Sequence, residues 1–249
     1  MARTVTVIRE LAQGRPPTPE VLGVDAGTGL VALEYLPGRV LDDTLGRERA
    51  GRTKLAGAGA ALALLHDRHL SALPARTADH DAAAALAAAE HIAVLLPDLA
   101  GTVRGLAGGI VRGMADLPLM RTTIHGDFSA DQVVIAPDGR VALVDLDSGA
   151  IGDPASDLAC AAAALASRTV LGGDPSVETL RVRALFEGYS ALRPLPAPET
   201  LALHVAAMLL RRAVDPFRLC APSWPPAVTA LVGRAENALA GASAPAGLT

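Results

Sequence analysis

The chain has 249 residues and a mass of 25.3 kDa, enough to bury about 70% or more of its unfolded surface without a disulfide or metal staple. Hydrophobic residues are 51% and charged residues 19%, which excludes disorder as the overall state, and an aromatic share of 2% leaves a core of aliphatic side chains and alanine. A net charge of −4 and a pI near 5.8 give no basic footprint for nucleic acid or an anionic membrane.

Val5, Ile8, Leu11 and Ala12 fit one face of a short helix ending at Gly14, although the Thr-Val-Thr-Val run from Thr4 also suits a strand. Arg9 and Glu10 interrupt this stretch, which is unlike a secretory signal. Pro16, Pro17 and Pro19 then impose an extended connection. Glu20–Val24 and Leu30–Tyr35 predict a hairpin around Asp25-Ala26-Gly27-Thr28-Gly29, closed by Pro37-Gly38. From Arg47 onward helices dominate. Leu55, Leu62 and Leu65 form one apolar stripe, in which Gly57-x-Gly59 predicts close helix packing. Asp81–Leu96 is a second helix, and Leu99, Val103, Leu106, Ile110 and Met114 mark a third at three- and four-residue spacing.

A β segment follows: Thr122–Ile124, Val133–Ala136, a Pro137-Asp138-Gly139 turn, and Val141–Asp145. Helices resume over about Ala155–Thr169, Ser176–Leu192, Glu199–Val214 and Pro225–Ala240, with a tail from Gly241 to Thr249. The longest apolar runs, Leu158–Ala166 and Leu201–Leu210, are about half of a membrane span. Cys160 and Cys220 lack metal-ligand spacing and read as buried thiols in a reducing compartment, so the expected location is the cytoplasm.

Polar residues with chemical potential concentrate in the β segment. It reads His125-Gly126-Asp127-Phe128-Ser129-Ala130-Asp131-Gln132, then Val144-Asp145-Leu146-Asp147, then Gly152-Asp153-Pro154-Ala155-Ser156-Asp157. Carboxylates on strand ends and loops are costly to desolvate, so they cap helices or bind something cationic. Asp127 and Gln132 stand five apart across a loop, and Asp145 ends the next strand. A hairpin brings such a loop and strand end together, where their oxygens suit Mg²⁺ and a hydroxyl.

These three motifs together resemble the aminoglycoside phosphotransferase and choline kinase family, whose pattern is His-Gly-Asp-x-x-x-x-Asn, an Asp-bearing strand end, and Gly-Asp-Pro-x-x-Asp-Leu. The resemblance implies an α+β, protein-kinase-like fold, with a truncated small lobe and hinge over 1–36, a helical large lobe over 37–240 and a disordered tail over 241–249. It implies Asp127 as catalytic base and Asp145 as the main Mg²⁺ ligand bridging the nucleotide phosphates, with Gln132 in place of the family's metal-binding Asn. Leu33-Glu34-Tyr35-Leu36-Pro37-Gly38 is similar to the hinge, so Glu34, Tyr35 and Leu36 are expected against adenine. The implied cofactors are Mg²⁺ and ATP, with GTP as the alternative nucleotide. The implied acceptor is a hydroxyl of a small molecule: an aminoglycoside, a sugar or an amino alcohol.

The sequence departs from the family at its start. The strands and covering loop that precede the first helix are missing from it, Thr4 stands where a pairing glutamate belongs, and the only lysine, Lys54, lies in the helical body. Hence a second reading, a nucleotide- or metabolite-binding protein without transfer. An incomplete small lobe also leaves a hairpin edge expected to self-associate or to pair with a partner, or else a mobile small lobe.

Other signals read as structural. Gly27-Thr28-Gly29 is a hairpin turn rather than a dinucleotide fingerprint, because a strand follows it. His66 and His69 close a helix and complement its dipole rather than pairing on a metal. His125 is a packed histidine that orients the loop, Asp153 is a helix N-cap before Pro154, and Asp157 anchors loop amides. Asp147 either supports the metal ligands or contacts the acceptor. Ser129 lacks a base that would make it a nucleophile.

Overall fold

The structure, a computed structural model, describes residues 10, 16–45, 50–70, 72–118 and 120–242. The helix expected over residues 5–12 lies outside the described residues apart from Glu10, as does the tail over 243–249. The described residues divide into two compact units. One comprises those of 1–75, 120–157 and 179–195; the other comprises those of 76–119, 158–178 and 196–249.

In the first unit the expected hairpin forms from β1 (Val21–Asp25) and β2 (Leu30–Leu33), antiparallel from Val21↔Leu33 to Asp25↔Leu30 with a bulge between Val21 and Gly23. Its turn is folded by Asp25, whose Oδ1 accepts the Gly27 amide at 2.9 Å while the Thr28 hydroxyl donates to Oδ2 at 2.7 Å. After Gly38 comes β3 (Arg39–Val40), then one helical turn, α1 (Leu41–Thr44), and α2 (Ala50–His66). The β segment yields β4 (Thr122–Ile124), β5 (Val133–Ile135), β6 (Val141–Leu143) and β7 (Ala150–Gly152). They form two antiparallel sheets, ordered β3-β5-β6 and β4-β7.

Strands β3 and β7 carry no readable signal in the sequence. At two and three residues they are too short for alternation, and only their partners define them. Single-turn 3₁₀ segments at Ala130–Gln132 and Leu146–Ser148 complete the β region.

Helix α5 (Ala155–Val170) begins in this unit, and α6 (Pro175–Ser190) ends in it. The glycines of α2 set how closely α6 approaches. A Cβ on Gly59 would collide with the Leu185 carbonyl, and one on Gly188 would collide with the Ala56 carbonyl. Reciprocal close approach of this kind seats Tyr189 beside His66, with ring centroids 5.5 Å apart in an edge-to-face arrangement.

The second unit is helical: α3 (Ala78–Leu95), α4 (Ala100–Ala115), the body of α5, α7 (Pro198–Arg212), the short α8 (Asp215–Arg218) and α9 (Trp224–Ala242). Its core is aliphatic and alanine-rich, as the composition requires. Val103, Leu106, Ile110 and Met114 of α4 are buried at the expected spacing, with Ala85, Ala89, Ala206, Ala207 and Ala235 among their core partners. Helix α9 runs two residues past Ala240. No described helix is long and apolar enough to cross a membrane. Of the two cysteines, Cys160 is buried but Cys220 is exposed, with φ 52° just after α8, so only one is a core thiol.

Candidate active site

The three residues expected to carry the chemistry project from segments tied to one another through Val144. Its amide donates to the Gln132 carbonyl at 3.0 Å, one step past the last β5–β6 pair. Its carbonyl accepts from His125 Nε2 at 2.9 Å. Asp145 is the next residue, and Asp127 lies two beyond His125. Gly126 makes a further link. Its φ is +86°, and a Cβ there would collide with the Ser148 carbonyl, so the loop before Asp127 lies directly against the turn after Asp145. Asp127 and Asp145 are both exposed, whereas Gln132 is half-buried.

Asp145 itself is left-handed, with φ 57° and ψ 57°. Aspartate tolerates this region better than most residues, and a sparsely populated conformation at the mouth of a site is a feature of function-bearing turns. Among the described residues no three His, Cys, Asp or Glu side chains cluster as a metal cage.

The supporting residues are buried. His125 Nε2 faces a carbonyl, so it carries the proton and donates, while buried Nδ1 has no hydrogen-bond partner. Such a ring is a brace rather than a base, and it also packs edge-on against Phe128 at 5.8 Å. Asp157 grips the loop from behind: its Oδ2 accepts the His125 amide at 2.6 Å and its Oδ1 the Gly126 amide at 2.8 Å. Asp153 caps α5 through the Ala155 amide at 2.8 Å. Ser129 spends its hydroxyl on Asp131, and Asp147 is exposed.

Sequence reasoning missed the next layer. His66 does not act at a helix end in solvent; it is buried, with Nε2 3.0 Å from Asp157 Oδ2 and Nδ1 2.9 Å from the Tyr189 hydroxyl. Burial alone would raise the Asp157 carboxyl, but the His66 hydrogen bond, with the His125 amide, holds it below the usual carboxylate range. Glu34, Tyr35 and Leu36 follow β2 and lead through Gly38 into β3, which pairs with β5 just beyond Gln132. Tyr35 is 82% exposed, and Glu34 is exchanged with Glu20, donating its amide to the Glu20 carbonyl at 2.8 Å and accepting the Glu20 amide on its carboxylate at 3.1 Å.

Residues 1–195 match the APH phosphotransferase enzyme family. The chain belongs to that family. Its fold is the protein-kinase-like one of solved relatives. A choline/ethanolamine kinase family protein from Mesorhizobium loti superposes with a TM-score of 0.66 at 19% identity, over 98% of this chain and 80% of the other. The choline kinase LicA from Streptococcus pneumoniae gives 0.61 at 15%, over 95% and 78%. A GDP and kanamycin complex of the aminoglycoside phosphotransferase APH(2")-IIia gives 0.64 at 14%, over 94% and 81%. By sequence, no curated protein matches the chain. As a family member the chain is of the phosphotransferase type, with the α+β architecture that its motifs imply.

Proposed function

We propose that this protein transfers the terminal phosphoryl group of ATP, with Mg²⁺, to a hydroxyl of a small molecule such as an aminoglycoside, a sugar or an amino alcohol. The observation that supports this most is the joining of the segments bearing Asp127, Gln132 and Asp145 through Val144. Phosphoryl transfer leaves little covalent work to a protein, so positioning and charge neutralisation are what those segments must supply. In this reading the Asp127 carboxylate accepts the acceptor hydroxyl and takes its proton as the oxygen attacks phosphorus. Asp145 and Gln132 hold the cation by hard oxygens. When bound, the cation neutralises charge on the nucleotide phosphates. The backbone at Glu34, Tyr35 and Leu36 receives the base. A nucleotide-dependent reaction and two free thiols support a cytoplasmic location.

The test is nucleoside diphosphate release from ATP or GTP, with and without Mg²⁺, against an aminoglycoside, choline and a hexose. Release that needs both the cation and one acceptor is expected. Asp127→Asn should lower its rate by about 10²–10⁴-fold without changing nucleotide affinity. In calorimetry Asp145→Ala should weaken Mg²⁺-nucleotide binding far more than Asp147→Ala. Nucleotide binding with no acceptor-dependent release would favour the reading without transfer.

A further inference from the structure

Asp157 is the inner end of a longer chain of hydrogen bonds whose direction is set by donor chemistry. A carboxylate only accepts, so His66 Nε2 carries the proton in its 3.0 Å contact with Asp157. Arg193 places a positive charge beside the Tyr189 phenol. With Nε2 carrying the proton of the neutral ring, Nδ1 accepts, so the Tyr189 phenol donates to it across 2.9 Å. Arg193 also donates to the His66 carbonyl at 3.1 Å, where the Thr122 hydroxyl joins it. The sequence of bonds therefore runs from Tyr189 to His66 and from His66 to Asp157, and ends on the amides of His125 and Gly126, with Arg193 joined to it at the His66 carbonyl. Burial pushes the Tyr189 phenol up to about 12 against the pull of Arg193, so it stays a donor across physiological pH.

We infer that Tyr189 and Arg193 are positioning residues for the Asp127 loop, acting through His66 and Asp157 without touching substrate. Tyr189 and the outer part of α6 lie far from the motifs in sequence, 123 residues from His66. Each bond polarises the next in a site shielded from water, so losing the phenol proton loosens the grip of Asp157 on the loop. The kinetic arm of the test rests on the phosphotransferase reading; the exchange arm does not.

The experiment compares the full-length chain with Tyr189→Phe, which removes one oxygen and keeps the ring contact with His66. Amide hydrogen exchange at His125 and Gly126 should quicken about tenfold, as expected for one weakened buried hydrogen bond. The Ile151 amide, held at 2.8 Å by the Pro74 carbonyl and not by Asp157, should be unchanged. Nitrogen spectra of the His66 ring should keep the Nε2–H tautomer that Asp157 fixes, with the Nδ1 signal shifted by the loss of its hydrogen bond. The turnover rate should fall while the KM for nucleotide stays. Arg193→Gln, at a partly exposed position, should move the same amides in the same direction by less, and serves if the phenylalanine variant does not fold. Unchanged exchange at His125 and Gly126, or an equal rise at Ile151, would overturn the inference. Faster exchange at those two amides in a protein without transfer activity would sustain it and remove the functional reading instead.

Discussion

The two antiparallel pairs β1–β2 and β4–β7 are built from similarly few residues, yet among the described residues only β4–β7 is fastened by buried side chains beyond the sheet. Every residue of β4 is buried, as are Ala150 and Gly152 of β7, and side chains beyond the sheet tie it down. Thr123 accepts the Leu70 amide at 3.1 Å, the Thr122 hydroxyl bonds the His66 carbonyl, and Asp157 holds the loop that follows. The β1–β2 hairpin has Leu22 and Leu30 each 67% exposed. A two-stranded ladder is marginal in water by itself. Stiffness at the candidate site therefore comes from buried polar side chains on β4 and on the helices α2 and α5, and strand length has little to do with it.

The sharpest way to break this contrast is Asp157→Ala. It strands two buried amides and the His66 Nε2 proton, and should cost about 3–5 kcal/mol in urea unfolding. A loss below about 1 kcal/mol would mean that the loop is held by other means. Gly126→Ala comes next. A positive φ costs an alanine about 1–2 kcal/mol, and the collision with the Ser148 carbonyl adds to it, so unfolding should register more than that figure.

Acid sharpens the comparison more gently. The folded chain holds the Asp157 carboxyl below its unfolded value, so the unfolded state takes up the proton first as pH falls. The stabilisation is complete above about pH 5 and is lost as pH drops below about 3.9 toward the folded value. Urea midpoints measured down that range should fall in the natural chain, and Asp157→Asn should remove this part of the slope. The smallest effect belongs to the hairpin. Leu30→Thr should change stability by no more than about 0.5 kcal/mol. Its apolar edge is expected to pair with a second copy, so mass by light scattering should rise with concentration and stay monomeric in Leu22→Asp. A constant mass in the natural chain would remove that expectation.

Much of this was legible because the signals are local. Helix spacing at Val103, Leu106 and Ile110, the Asp25–Gly29 turn and the cap at Asp153 are each decided within a few residues. The bonds from Asp157 to the loop could be foreseen because a buried aspartate near a turn needs amides. His66 could not be placed. Its partners lie 91 and 123 residues away, and a histidine closing an alanine-rich helix looks the same whether it meets solvent or a buried carboxylate. The same holds for β3 and β7, whose existence depends on partners rather than pattern.

Asp145 carries one more consequence, for descent rather than for chemistry. Its left-handed backbone excludes most side chains, but asparagine and glycine enter that region readily. Both are a single base change from an aspartate codon. A lineage can thus give up the carboxylate at this position while keeping the turn, the sheet and the helices behind it. Under the proposed function, loss of the cation ligand is one mutational step away and passes through no unstable ancestor. Gly126 offers no comparable exit, because any larger residue must first push the Ser148 backbone aside.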